Sequence, residues 1–294
     1  MLFREFTARF MDQVAVLKRP TTERTFRTHV HVLNASFGDR NLKDVGFSET
    51  QIFFSDLAKT LSPKSVQNLH GTFHNIMNRA QREGLIERIP IPDLPKKGRI
   101  EQAWFTPEQI HRIVTEAPTL PQKVFFAILA ETGMRIEEIF GLRSEDISHP
   151  ELSLTIKRNL KTPSAYRSLA ISPQLLGLIQ TYEYGGQLFY KATEKSKPDS
   201  RDRFVSDTLW RRRFQEHLET LKIVPKGKPD SRAPFHALRR SNAALMASLG
   251  VPEKIAAVRL GHAMRGLTYG LYAQKEAMEL QDHEWVKKMA ARIY

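Results

Sequence analysis

The sequence predicts a mainly α-helical protein of two domains, with one small antiparallel β-sheet in the second. Three observations carry that reading. Apolar residues recur at three- and four-residue spacing through most of the chain, the period of a helix with one buried face. Period-two alternation appears at residues 153–156 and 168–171, as expected of half-buried strands. Between residues 89 and 100, Pro90, Pro92 and Pro95 remove backbone donors and bias the residues before them to extended conformations, so no helix can run through. The 294 residues are enough for two separate cores. The boundaries expected are a helical domain over 1–88, a basic proline-rich linker over 89–100 and a second domain over 101–294.

Phe3, Phe6, Phe10 and Val14 form the inward stripe of a first helix, and Phe26, Val30, Leu33 and Phe37 that of a second over 22–37, which Gly38 ends. Ser48 and Gln51 have the reciprocal spacing of a capping box and predict a third helix running through Ile52, Phe53 and Leu57. Ser62-Pro63 opens a fourth, with Val66, Leu69, Phe73, Ile76 and Met77 inward and Gly84 at its end. His70 and His74 stand four apart on this helix without a nearby third ligand, so they read as packed or solvated side chains and not a metal site; His29 and His31 are weaker candidates still.

Thr106-Pro107-Glu108-Gln109 restarts the helical pattern with an N-cap and a proline in the first turn. Residues 124–130 are apolar all round and predict a core helix broken at Gly133, with Arg135 opening the next. Glu138, one turn on, either orients Arg135 or forms an ordinary surface ion pair with it. The two strands follow, joined by a turn over 159–166 that carries Lys161 at its tip, with Lys157 as the fallback should a lysine of this hairpin act in the chemistry. Residues 173–184 read as helix, 191–203 as a polar loop, and the stretch from Thr208 as a helix whose Arg211, Arg212 and Arg213 suit phosphate backbones better than base edges. His236 and Arg239 lie three apart on a further helix, which Gly250-Val251-Pro252 ends. The last segment, 275–294, is polar with sparse apolar residues, Met278, Leu280, Trp285, Val286 and Met289, and needs a surface to dock on.

Composition narrows the classes. The net charge of +13 divides as +6 over residues 1–100 and +7 over the remainder, so both domains are basic, as proteins that touch a polyanion are. Lys96, Lys97 and Arg99 make the linker basic too. There is no cysteine, which excludes disulfides and thiolate metal sites. The longest apolar run, 124–130, is far short of the ~20 residues of a membrane span. The start of the chain lacks the apolar block of a signal peptide. The expectation is a soluble intracellular protein of the cytoplasm, associated with the nucleoid.

Three islands carry chemistry: Thr132-Gly133-Met134-Arg135, Phe235-His236-Ala237-Leu238-Arg239-Arg240, and Leu260-Gly261-His262 followed by Tyr272. A phosphodiester transition state spreads negative charge that planar guanidinium forks hold well, and Arg135 and Arg239 are the candidates. A phenol can attack phosphorus and later leave it, storing the bond energy in a covalent intermediate. In this order, with Glu138 and Lys161-Thr162, the islands resemble the tyrosine recombinase (phage integrase) family, whose motifs run T-G-x-R-x-x-E, a hairpin lysine, H-x-L-R, L-G-H and then Y.

The resemblance implies a helical core-binding domain joined to a tyrosine-recombinase-like catalytic domain, and a site-specific recombinase acting on double-stranded DNA through a 3′-phosphotyrosyl intermediate. It implies Tyr272 as nucleophile, His236 as general base and acid, His262 as hydrogen-bond donor to a non-bridging oxygen, and Lys161 as proton donor to the departing 5′ oxygen. Tyr272 lies one residue further from His262 than the family's usual spacing, so Tyr269 stays in view. No metal, ATP or other cofactor is implied. A tetramer on DNA, linked by the C-terminal segment docking into a neighbouring protomer, is expected, with room for accessory DNA-bending or directionality proteins. The rival readings are a type IB topoisomerase, a non-catalytic DNA-binding protein on the same fold, and a basic packaging protein; the last would need none of the islands.

Overall fold

A computed structural model describes residues 1–96, 98, 102–158, 160, 166–182, 186, 188–191, 204–205, 207–227, 234–262 and 275–294. The chain divides into two compact units, Met1–Arg99 and Ile100–Tyr294.

Among its described residues the first unit holds four α-helices, α1 (Phe3–Leu17), α2 (Pro20–Phe37), α3 (Phe47–Thr60) and α4 (Pro63–Arg82), with a 3-10 turn at Leu42–Asp44 between the second and third. Phe3, Phe6 and Val14 of α1 are buried, as their spacing requires. Phe37 is the hub of the core, with ring centroids 5.8 Å from Phe3, 4.9 Å from Phe53 and 5.8 Å from Phe73. Phe3, Phe37 and Phe73 are fully buried, and each such ring contributes about 1.5–3 kcal/mol. Gly38 does end α2, through close approach and not through a left-handed turn: a Cβ there would stand 2.4 Å from the Asn34 carbonyl oxygen. Ser62 caps α4 by accepting from the Ser65 amide at 3.1 Å, and Gly84, at φ +72°, follows its end.

The start of α3 differs from the sequence reading. The helix begins at Phe47 behind Gly46, which puts Ser48 inside it, and Ile52 is 64% exposed. Thr50 takes over the first turn, its hydroxyl donating to the Gly46 carbonyl at 2.9 Å, while Leu42 and Val45 are buried just upstream and lead the chain in. The proline strap is fastened to this unit: Gln51 Oε1 accepts from the Asp93 amide at 2.7 Å, and Gln67 Nε2 donates to the Pro95 carbonyl at 2.9 Å. On α4, the rings of His70 and His74 lie 6.1 Å apart, and His70 meets Phe54 edge-on.

The second unit runs α5 (Pro107–Thr115), α6 (Leu120–Thr132), α7 (Ile136–Ile139), β1 (Ile147–Ser148), β2 (Ser153–Ile156), β3 (Arg167–Ala170), α8 (Pro173–Thr181), β4 (Tyr190–Lys191), β5 (Phe204–Val205), α9 (Asp207–Thr220), α10 (Phe235–Ser248), α11 (Glu253–Leu260) and α12 (Lys275–Ile293). β1, β2 and β3 form an antiparallel sheet in that order, with Leu154 opposite Leu169. Both are buried, which fixes the register, since a one-residue slip would turn them to solvent. β4 pairs in parallel with β5, so Lys191, read from sequence as the start of a loop, belongs to a strand.

α6 is the central helix. Its 124–130 run is buried throughout, with Phe125 stacked on Trp210 at 4.1 Å. α5, α8, α10 and α12 pack around it. The helix stops at Gly133, φ +61°, where a Cβ would come within 2.6 Å of Asn242 Oδ1 and 2.9 Å of Leu260. Asn242 in turn donates to the Ala130 and Glu131 carbonyls at 2.8 and 2.9 Å, supplying donors that the end of α6 lacks. This crowded turn aims the chain at Arg135.

α12 corrects the expectation that segment 275–294 must find its surface on a neighbour. Val286, Met289, Ala290 and Ile293 are at most 1% exposed, seated in their own unit. They form an i, i+3, i+4, i+7 stripe that Ala290 and Ile293 complete, a fuller face than Trp285, Val286 and Met289 alone suggested. A polar anchor adds to it. Asp282 Oδ2 accepts from the Ala170 amide at 2.9 Å, and its Oδ1 pairs with the fully buried Arg259 at 2.6 Å.

Candidate active site

Three segments distant in sequence meet where α11 ends. A helix leaves its last carbonyls without intrahelical donors and carries the negative end of its dipole there. Gly261, at φ +62°, closes α11 and turns its final carbonyls into the unit. Three successive carbonyls each accept from a different arginine. Arg259 O accepts from Arg167 Nε at 2.7 Å, Leu260 O from Arg239 Nη2, and Gly261 O from Arg135 Nη2 at 3.3 Å. The end of α11 is a seat for three guanidinium groups.

Each arginine is also held from a second side. Arg135 caps α7: its amide donates to Glu138 Oε2 and its Nη1 to Glu138 Oε1, both at 2.8 Å. Arg239, pointing inward from α10, donates through Nη1 to the Gly133 carbonyl at 2.5 Å. Its Nη2 lies 3.2 Å from His262 Nε2. A guanidinium can only donate, so Nε2 of His262 is the acceptor and the proton of the neutral ring resides on Nδ1.

The electrostatics follow from packing like charges with one carboxylate. Burial, and then the charge of Arg135, lower the Arg239 guanidinium to about 10, which leaves it charged at neutral pH. Burial lowers His262 below the ordinary imidazole range, and Arg239, Arg135 and Arg167 lower it further, so its neutral form prevails at pH 7. For Glu138 burial alone would raise the carboxyl. The hydrogen bonds and charge of Arg167, with the contacts to Arg135, outweigh it and hold the group below its ordinary range. The arrangement can bind an oxyanion with paired donors and resist its own protonation.

The structure brings Arg135, Glu138, Arg239 and His262 together. Glu138 is 1% exposed, so the surface-pair alternative does not hold. His236 is exposed on the first turn of α10, while Arg239, one turn on, is buried. Lys157 pairs with Asp146 Oδ1 at 3.4 Å. Lys161, Tyr269 and Tyr272 lie outside the described residues, as do Lys97 and Arg99. Lys96 is exposed; on α9, Arg212 is exposed with Glu216 at 3.4 Å, and Arg211 and Arg213 are half-buried.

Sequence reasoning missed Arg167. A signal was present: in β3 it shares the inward parity of Leu169 and Ile171, and a charged residue on the apolar face of a strand calls for a buried partner.

Comparison with known proteins bears on the same region. A family model described as the phage integrase family matches residues 103–279. The ICEBs1 integrase of Bacillus subtilis (strain 168) is 23% identical over 269 residues, 84% of this chain and 73% of that protein. Tyrosine recombinase XerA of Pyrococcus horikoshii is 26% identical over 256 residues, 82% of this chain and 80% of that protein. Among solved structures, a lambda integrase tetramer bound to a Holliday junction superimposes with a TM-score of 0.72 at 15% identity, covering 93% of this chain and 81% of that one.

Proposed function

The chain belongs to the phage integrase family and is a tyrosine-type site-specific DNA recombinase, and we propose that it breaks and rejoins double-stranded DNA through a phosphodiester bond to Tyr272. The observation that carries this reading is the convergence of Arg135, Arg239 and His262 at the end of α11, two guanidinium groups and an imidazole around a place for one phosphate.

In the cleavage step the Tyr272 oxygen attacks the scissile phosphorus. The phenolic proton passes to His236 as general base, the bond from phosphorus to the 5′ oxygen breaks, and Lys161 protonates that oxygen as it leaves. The 3′ phosphate stays on tyrosine. Arg135 and Arg239 hold the non-bridging oxygens as charge develops, and His262, with Nε2 occupied by Arg239, offers its Nδ1 proton to one of them. Attack by a 5′ hydroxyl of another strand reverses the step and exchanges partners, with the bond energy conserved throughout.

The helical first unit, the strap and the arginines of α9 supply phosphate contacts in this reading, supported by a positive balance in both units. We place the protein in the cytoplasm on the nucleoid, working as a tetramer as the lambda integrase of similar fold does on its junction. Because the apolar stripe of α12 is occupied in its own unit, we assign the contacts between protomers to other surfaces.

The test is a DNA substrate whose short cleaved strand diffuses away, trapping the covalent adduct. Tyr272→Phe abolishes the adduct and leaves binding intact. An adduct that survives Tyr272→Phe and is lost in Tyr269→Phe would move the nucleophile.

A further inference from the structure

We propose that Arg167 is a positioning residue of the cleavage reaction, fixing Glu138 and the end of α11 in one frame and thereby setting where Arg135 presents its guanidinium. The inference rests on the recombinase reading of the site.

Arg167 is 5% exposed, and among its contacts are three to groups that hold other groups. Nε donates to the Arg259 carbonyl at 2.7 Å, Nη2 to Glu138 Oε2 at 3.0 Å and Nη1 to Glu138 Oε1 at 3.4 Å. Glu138 fixes Arg135 with respect to α7, and the Gly261 carbonyl relates it to α11. Arg135 itself joins these two references, and Arg239 ties the Gly133 turn before α7 to the Leu260 carbonyl; Arg167 adds a direct tie from Glu138 to the end of α11. With it, α7, β3 and the end of α11 close a triangle.

Stability does not account for a guanidinium at this position. The neighbours of the same parity, Leu169 and Ile171, are apolar and buried. Exchanging a buried ion pair for packed hydrocarbon is often neutral or favourable, because both charges must be desolvated. What the arginine supplies is direction, through a rigid fork with donors on three nitrogens.

Among the described residues, the charged groups facing Glu138 are Arg135 at the head of α7, Arg167 from β3 and Arg239 from α10. His262 faces the arginines beyond α11, and Arg259 lies behind Arg167. Removing Arg167 leaves Glu138 buried with Arg135 as its direct ionic partner, so burial raises its carboxyl. A protonated Glu138 cannot accept from both the amide and the guanidinium of Arg135 through ionised oxygens, and the arginine loosens as pH falls.

The experiment is single-turnover cleavage of the trapping substrate by the full chain, followed from about pH 5 to pH 8, with DNA affinity measured alongside. Arg167→Met should cleave on the order of 10²-fold more slowly at neutral pH, the cost of a small misplacement. It should bind DNA as the wild type does, and its rate should fall further toward acid where the wild type holds. Arg167→Lys keeps a cation beside Glu138 but loses the fork, so it should be slow without the added acid limb. Wild-type cleavage by Arg167→Met, parallel losses of binding and cleavage, or an unchanged pH profile would each overturn the inference. Should Arg167→Met fail to fold, Arg167→Lys decides, and a wild-type rate in that variant overturns it. A wild-type protein that forms no adduct defeats the recombinase reading itself; normal cleavage with unimpaired Arg167 variants defeats this inference alone.

Discussion

At the scale of single residues, the site turns on arginines that cannot be exchanged for lysine. Arg239 is brought down to about 10 by burial and the charge of Arg135, and a guanidinium survives this with its proton. An ammonium starts lower, at about 10.4, and the same surroundings carry it toward neutral pH. Arg239→Lys should therefore cleave on the order of 10²-fold more slowly. Its residual rate should fall as pH rises from about 7 to 9, while the wild type stays level. DNA binding, spread over many contacts, should change little; a pH-independent loss matched by weaker binding would make Arg239 an ordinary phosphate anchor. Arg135 and Arg239 could be singled out from the sequence because a phosphate calls for guanidinium forks and the islands hold them, and His262 through the resemblance that its Leu260-Gly261-His262 motif carries. Arg167 could not be picked out that way, since its partners are a carbonyl of α11 and a glutamate 29 residues away, and only pairing in space discloses them.

Among the elements, α12 has the most to reveal. Its buried stripe of Val286, Met289, Ala290 and Ile293 is worth several kcal/mol at about 1.5–3 kcal/mol for each larger side chain, set against a total domain stability of about 5–15. Deleting residues 276–294 should lower the thermal midpoint of the isolated protein sharply or unfold the second unit, as read by calorimetry. An unchanged midpoint would show that the helix contributes little at home. Asp282→Ala should act in the same direction and more mildly, leaving the buried Arg259 without its carboxylate. Further along, Tyr294 is raised well above the ordinary phenol value by burial and then by Glu131. A raised folded value means stability present below about pH 10 and lost as pH climbs above it, so alkali should release the end of α12. Helices with whole stripes, such as α4 with Val66, Leu69, Phe73 and Ile76, are readable from spacing alone. α12 was harder because part of its hold is Asp282, a residue that looks solvent-facing until the Ala170 amide and Arg259 are seen beside it. The short strands β4 and β5, two residues each, are below the length at which alternation can be recognised.

Taken whole, the molecule carries +13, divided almost evenly between its units, and its grip on DNA should be largely electrostatic. The logarithm of affinity should fall linearly with the logarithm of salt concentration. Arg212→Ala should lower that slope by about one and weaken binding equally on all sequences, the mark of a phosphate contact; a slope unchanged by the substitution removes Arg212 from the interface. The two-domain division and helical class follow from prolines and periodicity, properties that any stretch of chain displays locally. The seat at the end of α11 does not, and it has a bearing on how such a protein can change over generations. Its acceptors are the main-chain oxygens of residues 259, 260 and 261, and a point mutation rewrites a side chain while leaving the oxygen in place. The receptor for three cations is thus largely sheltered from codon-by-codon drift. Its vulnerability is concentrated where the path of the chain depends on the codon, at Gly261 with its φ of +62°.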